Sequence, residues 1–376
     1  MLEFLEKRQA KLDWIGPKPK GEKRLAMLVP QYNEDSNTDL DSRLRYFKSV
    51  GEKYGGLLDL IIIDDGSTDN SLKKITSFLE KNNYCFYLAA VSPNTNKVGA
   101  LFIVTLAILN EIILLTDFDT DIVGLDKLSS GDNLLNWDQT LMGCYFRMLP
   151  HGGRGNLFLY QQVEYTMARN MYQLHKKEGS VTVMPGAGSC YRRIVLTEIY
   201  HQHSGLRNGE DREATLIGQR LGYKAFYLDD VFSLTRPPLS FRALVKQRIR
   251  WNLGYLETFH KEQHYYLKQI RRFSRIGIRT LADICNVTFI ALLPFLALAF
   301  AITHFYFSLL LCLGLYLITV IWCLNILSIR SAESREFKST FWIGVLVFPV
   351  FKISVECCAW SRAIVRFINS TYLKKK

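Results

Sequence analysis

The sequence predicts an α/β protein: a doubly wound parallel sheet, then amphipathic interfacial helices, then a small α-helical membrane region. Three observations lead there. Over roughly the first two thirds of the chain, short apolar runs ending in polar loops alternate with segments of helical periodicity. A basic stretch with helical apolar spacing follows, around Gln247–Trp251. Beyond Leu281 the apolar residues gather into runs that a soluble domain would rarely expose. The expected divisions are a polar extension over 1–23, the α/β domain over 24–239, interfacial helices over 240–280, a membrane region over 281–365 and a basic tail over 366–376.

The totals narrow the function classes. The chain has 376 residues, enough for a large core, and a formal charge of +12. Residues 242–279 hold ten Arg or Lys against two Glu, immediately before the apolar runs. Such clusters belong on the cytoplasmic side of a span, where they attract anionic lipid, so no nucleic-acid partner is expected. Eight cysteines without a CxxC imply neither a disulfide framework nor a zinc site. The first 24 residues lack an apolar core, so neither a signal peptide nor an N-terminal anchor is expected and the α/β domain should face the cytosol.

Leu25–Pro30 and Leu57–Ile63 read as buried parallel strands followed by QYNED and DDGSTD. Leu40, Leu44, Phe47 and Val50 give the helix between them, and Ser71–Leu79 starts the next. Tyr84–Val91 is a third strand, and an apolar helix runs from Lys97 through Leu109. An apolar strand within Glu111–Asp121 leads into DFDTD, and Gln139–Met148 is a further strand. Leu157–His175 reads as a helix with mixed faces and no evident chemistry. Val181–Arg193 pairs a strand with a Gly-rich turn that either allows close backbone approach to a ligand or is a plain loop.

In doubly wound sheets ligands bind beyond the carboxyl ends of the strands, where Tyr32, Asn33, Glu34, Asp64 and Asp65 would lie. The two aspartates can accept from a uracil imide or a ribose hydroxyl; their plainer use is as turn formers and caps. Lys97, at a helix start, can meet a phosphate or simply be solvated. Asp117 and Asp119 share one side of an extended segment and make a hard-oxygen pair suited to Mg²⁺ or Mn²⁺ with a nucleotide diphosphate. Glu210 and Asp211 either cap a helix or supply a carboxylate general base. A helix through QRIRW carries Gln247, Arg250 and Trp251 on one face, with Phe241, Leu244, Val245, Ile249, Leu253 and Leu256 on another.

The ordered set DDGSTD, DFDTD, GED and QRIRW resembles the membrane-embedded family 2 glycosyltransferases, whose pattern is D, DxD, [TGS][ED]D and QxxRW. GEDREAT and MPGAGSCYRR are most similar to the hyaluronan and chitin synthase branch. The resemblance covers Leu25 to Trp251 and extends loosely into the apolar tail. It implies a GT-A (Rossmann-like) fold and a UDP-sugar donor, with Asp65 and Asp64 at the uridine and Asp117 and Asp119 at the metal and diphosphate. Asp211 would be the base. Gln247, Arg250 and Trp251, together with Glu210, would sit at the acceptor, Trp251 stacking beneath the acceptor sugar. The implied reaction is inverting transfer to a growing β-linked polysaccharide or, alternatively, of one sugar to a membrane lipid acceptor. The resemblance departs in the membrane part, since hyaluronan and cellulose synthases have spans on both sides of the catalytic domain; two or three helices make a poor channel alone, so a polymer channel would need an oligomer or a membrane partner.

Residues 282–302 and 305–327 are long enough to span, with Arg271, Arg272, Arg275 and Arg279 before them and Arg330, Arg335 and Lys338 after. Residues 341–360 are interrupted by Lys352 and Glu356, four apart and able to pair. Three spans are expected, with a re-entrant or interfacial segment over 341–360 as the alternative, because a full third crossing would put Lys374, Lys375 and Lys376 outside, against the positive-inside trend.

Overall fold

The structure, a computed structural model, describes residues 2–36, 39–128, 138–176, 179, 181–328 and 341–373. Arg330, Arg335, Lys338 and Lys374–Lys376 therefore lie outside the described residues. The chain forms two compact units: residues 1–148 with 174–235, and residues 149–173 with 236–376.

The first unit is built on a mixed sheet in the order β1-β4-β3-β2-β5-β8-β7-β9-β6. The strands are β1 (Lys11–Ile15), β2 (Leu25–Gln31), β3 (Leu58–Asp65), β4 (Tyr87–Ser92), β5 (Ile112–Leu115), β6 (Thr120–Val123), β7 (Leu141–Pro150), β8 (Ser189–Arg192) and β9 (Lys224–Thr235). Strands β4, β3, β2 and β5 run parallel, as the continuous apolar runs demand. Every residue of β3 is buried, covered by α2 (Leu40–Tyr54), α3 (Ser71–Lys81) and α4 (Asn96–Ala107) among others. Met27, Ile62, Phe47, Leu44, Ile75 and Leu114 share one core cluster. Because these strands are parallel, their carboxyl ends bring Tyr32, Asp64, Asp65 and Asp117 to a common edge.

Several expectations need correction. Residues 1–23 are more than a polar extension: after α1 (Leu2–Lys7), β1 pairs antiparallel with β4 as the sheet's edge. Within Val181–Arg193 only Ser189–Arg192 is strand, because the Gly186–Gly188 turn interrupts the ladder. Helices α6 (Arg193–Gln202) and α7 (Glu210–Arg220) follow.

The α/β region is also discontinuous. Helix α5 (Asn156–Lys176) begins in the second unit, where Tyr160 and Val163 share a core with Leu244, Val245 and Ile249 of α8 (Phe241–Lys261) and Val345, Phe348 and Val355 of α12 (Phe341–Ile368). Its mixed faces are thus explained by an apolar stripe for these helices. After α9 (Gln263–Arg271), helix α10 (Arg275–Thr303) runs unbroken from the basic segment into the apolar one, so 240–280 and 281–365 share a helix. Among the described residues three helices, α10, α11 (Phe305–Ser328) and α12, are long and apolar enough to cross a membrane. Pro349 lies within α12, and Lys352 and Glu356 pair there at 2.8 Å.

Candidate active site

The loops after β2 and β3 are laced into one surface. Asn33 takes a left-handed conformation, φ 56°, and its side-chain oxygen accepts from the backbone N–H groups of Thr68 (2.8 Å) and Asp69 (3.3 Å). The Asn33 N–H donates to Ser67 Oγ at 3.0 Å. Glu34 opens a short 3-10 turn, and Tyr32 is 41% exposed. Asp64 accepts from Gln31 and from the Ser67 N–H. Asp65 accepts from Asn94 Nδ2, the Thr95 N–H and Thr95 Oγ1 at 2.9, 2.7 and 2.8 Å, so it also fixes the loop that starts α4. Burial pushes both carboxyls up, Asp65 to about 6, because the charged form loses water faster than these donors replace it. The turn-forming use of the pair is therefore realised, and any ligand would meet the lone pairs left over.

Beside this surface, α4 delivers Lys97 into a ring of carboxylates. Its Nζ donates to Asp117 Oδ1 at 2.5 Å and lies 3.3 Å from Glu210 Oε1. Burial favours the neutral amine, yet Asp117, then Glu210 and Asp211, outweigh it and raise the lysine above its ordinary range. Asp211 sits in the first turn of α7, entered through Gly209 at φ 67°, a backbone that most residues resist. Its Oδ2 receives the Gly186 N–H at 3.4 Å, and a Cβ on Gly186 would stand 2.9 Å from Lys97 Nζ, so glycine leaves the room the lysine occupies. Burial first, and Glu210 second, push Asp211 up to about 6. A small cleft of about 20 Å³ is lined by Lys97, Leu101, Leu115, Met184, Tyr191 and Asp211, among others. Behind it, buried Glu213 accepts from the Ser204 N–H and hydroxyl at 2.9 and 2.7 Å, anchoring the start of α7.

Asp117 and Asp119 flank Phe118, whose ring is buried in the core. Burial first, and the Asp117 charge second, raise Asp119 above the ordinary carboxylate range. Among the described residues no three His, Cys, Asp or Glu gather as a closed metal set. Two carboxylates with oxygen ligands supplied by a phosphate are nevertheless the usual Mg²⁺ or Mn²⁺ arrangement, so this donor pair fits such an ion.

Arg43 was not singled out by motif, yet it holds this loop. It donates from Nε to Phe118 O at 2.6 Å and from Nη2 to Thr120 O at 3.0 Å, pairs with Asp121, and lies over the Tyr46 and Phe47 rings. The available signal was a cation beside Leu44 on the apolar face of α2. Arg43→Met is expected to destabilise the protein by about 3–5 kcal/mol by removing the buried cation that bonds Asp121, Phe118 O and Thr120 O, which denaturant unfolding would measure.

In the second unit, α8 exposes Arg250 and leaves Trp251 44% exposed, while Gln247 is half-buried. Leu244, Val245 and Ile249 are buried as expected, but Phe241 is 40% exposed because it opens the helix. The buried cation of the motif is Arg248, unnoticed in the sequence: it pairs with Glu164 of α5, and its Cζ lies 4.1 Å from the Trp251 ring centroid.

The chain belongs to glycosyl transferase family 2: the model for glycosyl transferase family group 2 matches residues 139–327, and that for glycosyl transferase family 2 matches residues 27–200. Its relatives lie in the branch that the motifs resemble. It is 25% identical over 235 residues to an N-acetylglucosaminyltransferase of Bradyrhizobium diazoefficiens, covering 60% of this chain and 47% of that protein. It is 24% identical over 278 residues to a hyaluronan synthase of Streptococcus pyogenes serotype M1, covering 69% of this chain and 63% of that one. The chain thus spans about half the length of the curated relatives it matches. A solved mannosyltransferase from Pyrobaculum calidifontis, in complex with GDP-Man and Mn²⁺, aligns with a TM-score of 0.55 at 17% identity over 98% of this chain and 94% of that one. The fold is therefore GT-A, followed by apolar helices able to span a membrane.

Proposed function

We propose that this chain is an inverting glycosyltransferase that takes a UDP-sugar and a divalent metal ion and extends a β-linked polysaccharide at a membrane. The observation that carries the reading is the Lys97 ammonium bonded to Asp117 and close to Glu210, beside an Asp211 whose carboxyl is pushed up to about 6. A base titrating just below neutral pH is well matched to taking a proton from a sugar hydroxyl. Tyr32, Asn33, Glu34, Asp64 and Asp65 would bind the nucleoside, and Lys97 would face the diphosphate. Asp117 and Asp119 would hold Mg²⁺ or Mn²⁺, which when bound neutralises the diphosphate and makes it a better leaving group.

Asp211 accepts the proton of the acceptor hydroxyl as its oxygen attacks the anomeric carbon from the face opposite the diphosphate. The new C–O bond forms, the bond to the diphosphate oxygen breaks, and UDP departs with that electron pair; the anomeric configuration inverts. Gln247, Arg250 and Trp251 would engage the acceptor, since a C–H face of a sugar suits an indole. The relatives named as an N-acetylglucosaminyltransferase and a hyaluronan synthase support UDP-GlcNAc as the first donor to try. The catalytic unit would face the cytosol, with the basic residues from Arg271 to Arg279 beside the inner leaflet.

The test is a donor screen over UDP-GlcNAc, UDP-glucose, UDP-glucuronate and UDP-galactose, following UDP release and sizing the product. A long polymer insoluble in organic solvent is expected. A single-sugar product extracted with lipid would replace the polymer reading with that of a glycolipid synthase, and release from none of the donors would remove both.

A further inference from the structure

We infer that Arg248 is a positioning residue for Trp251, held in place by a partly buried ionic network that ends inside the apolar helix α12. Glu164 of α5 pairs with Arg248 through Oε2 and with Lys352 Nζ through Oε1 at 3.1 Å. Lys352 pairs in turn with Glu356 at 2.8 Å, and Tyr160 OH donates to Glu164 Oε1 at 3.2 Å. Two cations meet two anions, so the network is neutral, and each side chain has a partner.

Such a network is a poor source of stability, because desolvating four charges offsets most of their attraction and apolar residues of similar size would hold three helices at least as well. Lys352 and Glu356 also interrupt a helix otherwise suited to hydrocarbon, where ionisable residues are costly and usually mark function. What the charges add is direction. A guanidinium is planar and stacks on an indole, and this one is fixed at its far end by Glu164, so the ring it covers is fixed as well. Arg248 covers one face of Trp251 while the residue stays 44% exposed. An indole has two faces, and a sugar needs one held still. The inference rests on reading Trp251 as the acceptor platform.

The test uses the full chain in lipid nanodiscs, labelled with 5-fluorotryptophan; the six tryptophans give six fluorine signals, and Trp251→Phe assigns one of them. Arg248→Lys, which keeps the charge but not the planar stack, and Glu164→Gln are each expected to shift or broaden the Trp251 signal and leave the other five in place. With UDP-GlcNAc as donor and chitotetraose as acceptor probe, both should raise the acceptor KM about tenfold with the donor KM unchanged. A Trp251 signal unmoved in both variants overturns the inference, as does collapse of all six signals in both, which would make the network a general scaffold. If Trp251→Ala leaves the acceptor KM unchanged, the acceptor reading falls, and the fluorine spectrum alone decides whether Arg248 fixes the ring.

Discussion

Replacing Asp211 with Asn is expected to lower transfer by about 10²–10⁴-fold while making the protein more stable at neutral pH. The two effects share a cause. Burial and the neighbouring Glu210 push the Asp211 carboxyl up to about 6 from 3.8. The protonated form therefore suits the fold, and stability is fully present below the unfolded value near 3.8 and lost as pH rises through about 6. Asn mimics the protonated form, so its advantage should be absent at pH 3.5 and reach about 1–2 kcal/mol at pH 8, allowing for partial exposure. In the parent protein the base acts as the carboxylate, so the rate should fall with unit slope below about pH 6. Melting curves at both pH values, together with a pH–rate profile, check each part. A variant that is inactive but less stable at pH 8 would mean that Asp211 serves the fold rather than the chemistry.

Asp119→Asn should separate binding from folding in the same way. Burial and Asp117 already raise this carboxyl, so neutralising it removes a cost and should leave the unliganded melting temperature unchanged or higher. UDP with Mn²⁺ should stabilise the parent by about 2.7 kcal/mol at a hundred times the dissociation constant, by mass action. The variant should lose most of that increment. Asp117→Asn should also lose it, but with an added penalty, because Lys97 then keeps only Glu210 and Asp211 as counter-charges. Thermal melts with and without UDP and Mn²⁺ measure both, and an undiminished ligand shift in Asp119→Asn would remove the metal assignment.

The parallel strands were legible because burial on both faces leaves continuous apolar runs, as in Leu58–Ile63, and their loops carried the acidic motifs. The three apolar helices were legible from length and composition, the third despite its interruption by Lys352 and Glu356. What escaped were contacts between elements far apart in sequence. Arg43 reaches 75 residues along the chain to Phe118 O, and Glu164 reaches 84 to Arg248 and 188 to Lys352. A motif scan reads neighbours and periodicity, so α5 showed only mixed faces, although its partner charges on α12 were visible as an i, i+4 pair. The Gly-rich turn was read as room for a ligand or as a plain loop, and what comes close to Gly186 is the Lys97 amine. Arg248 was hidden in plain view, since the motif fixes only the first, fourth and fifth of its residues.

Transfer itself is the decisive measurement. The purified full chain in lipid nanodiscs, supplied with radiolabelled UDP-GlcNAc and Mn²⁺, should move label into product and release UDP, and the Asp211→Asn chain should do neither while still gaining stability from UDP and Mn²⁺. Equal incorporation by the two chains would contradict the assignment of the acidic cleft as the site of glycosyl transfer.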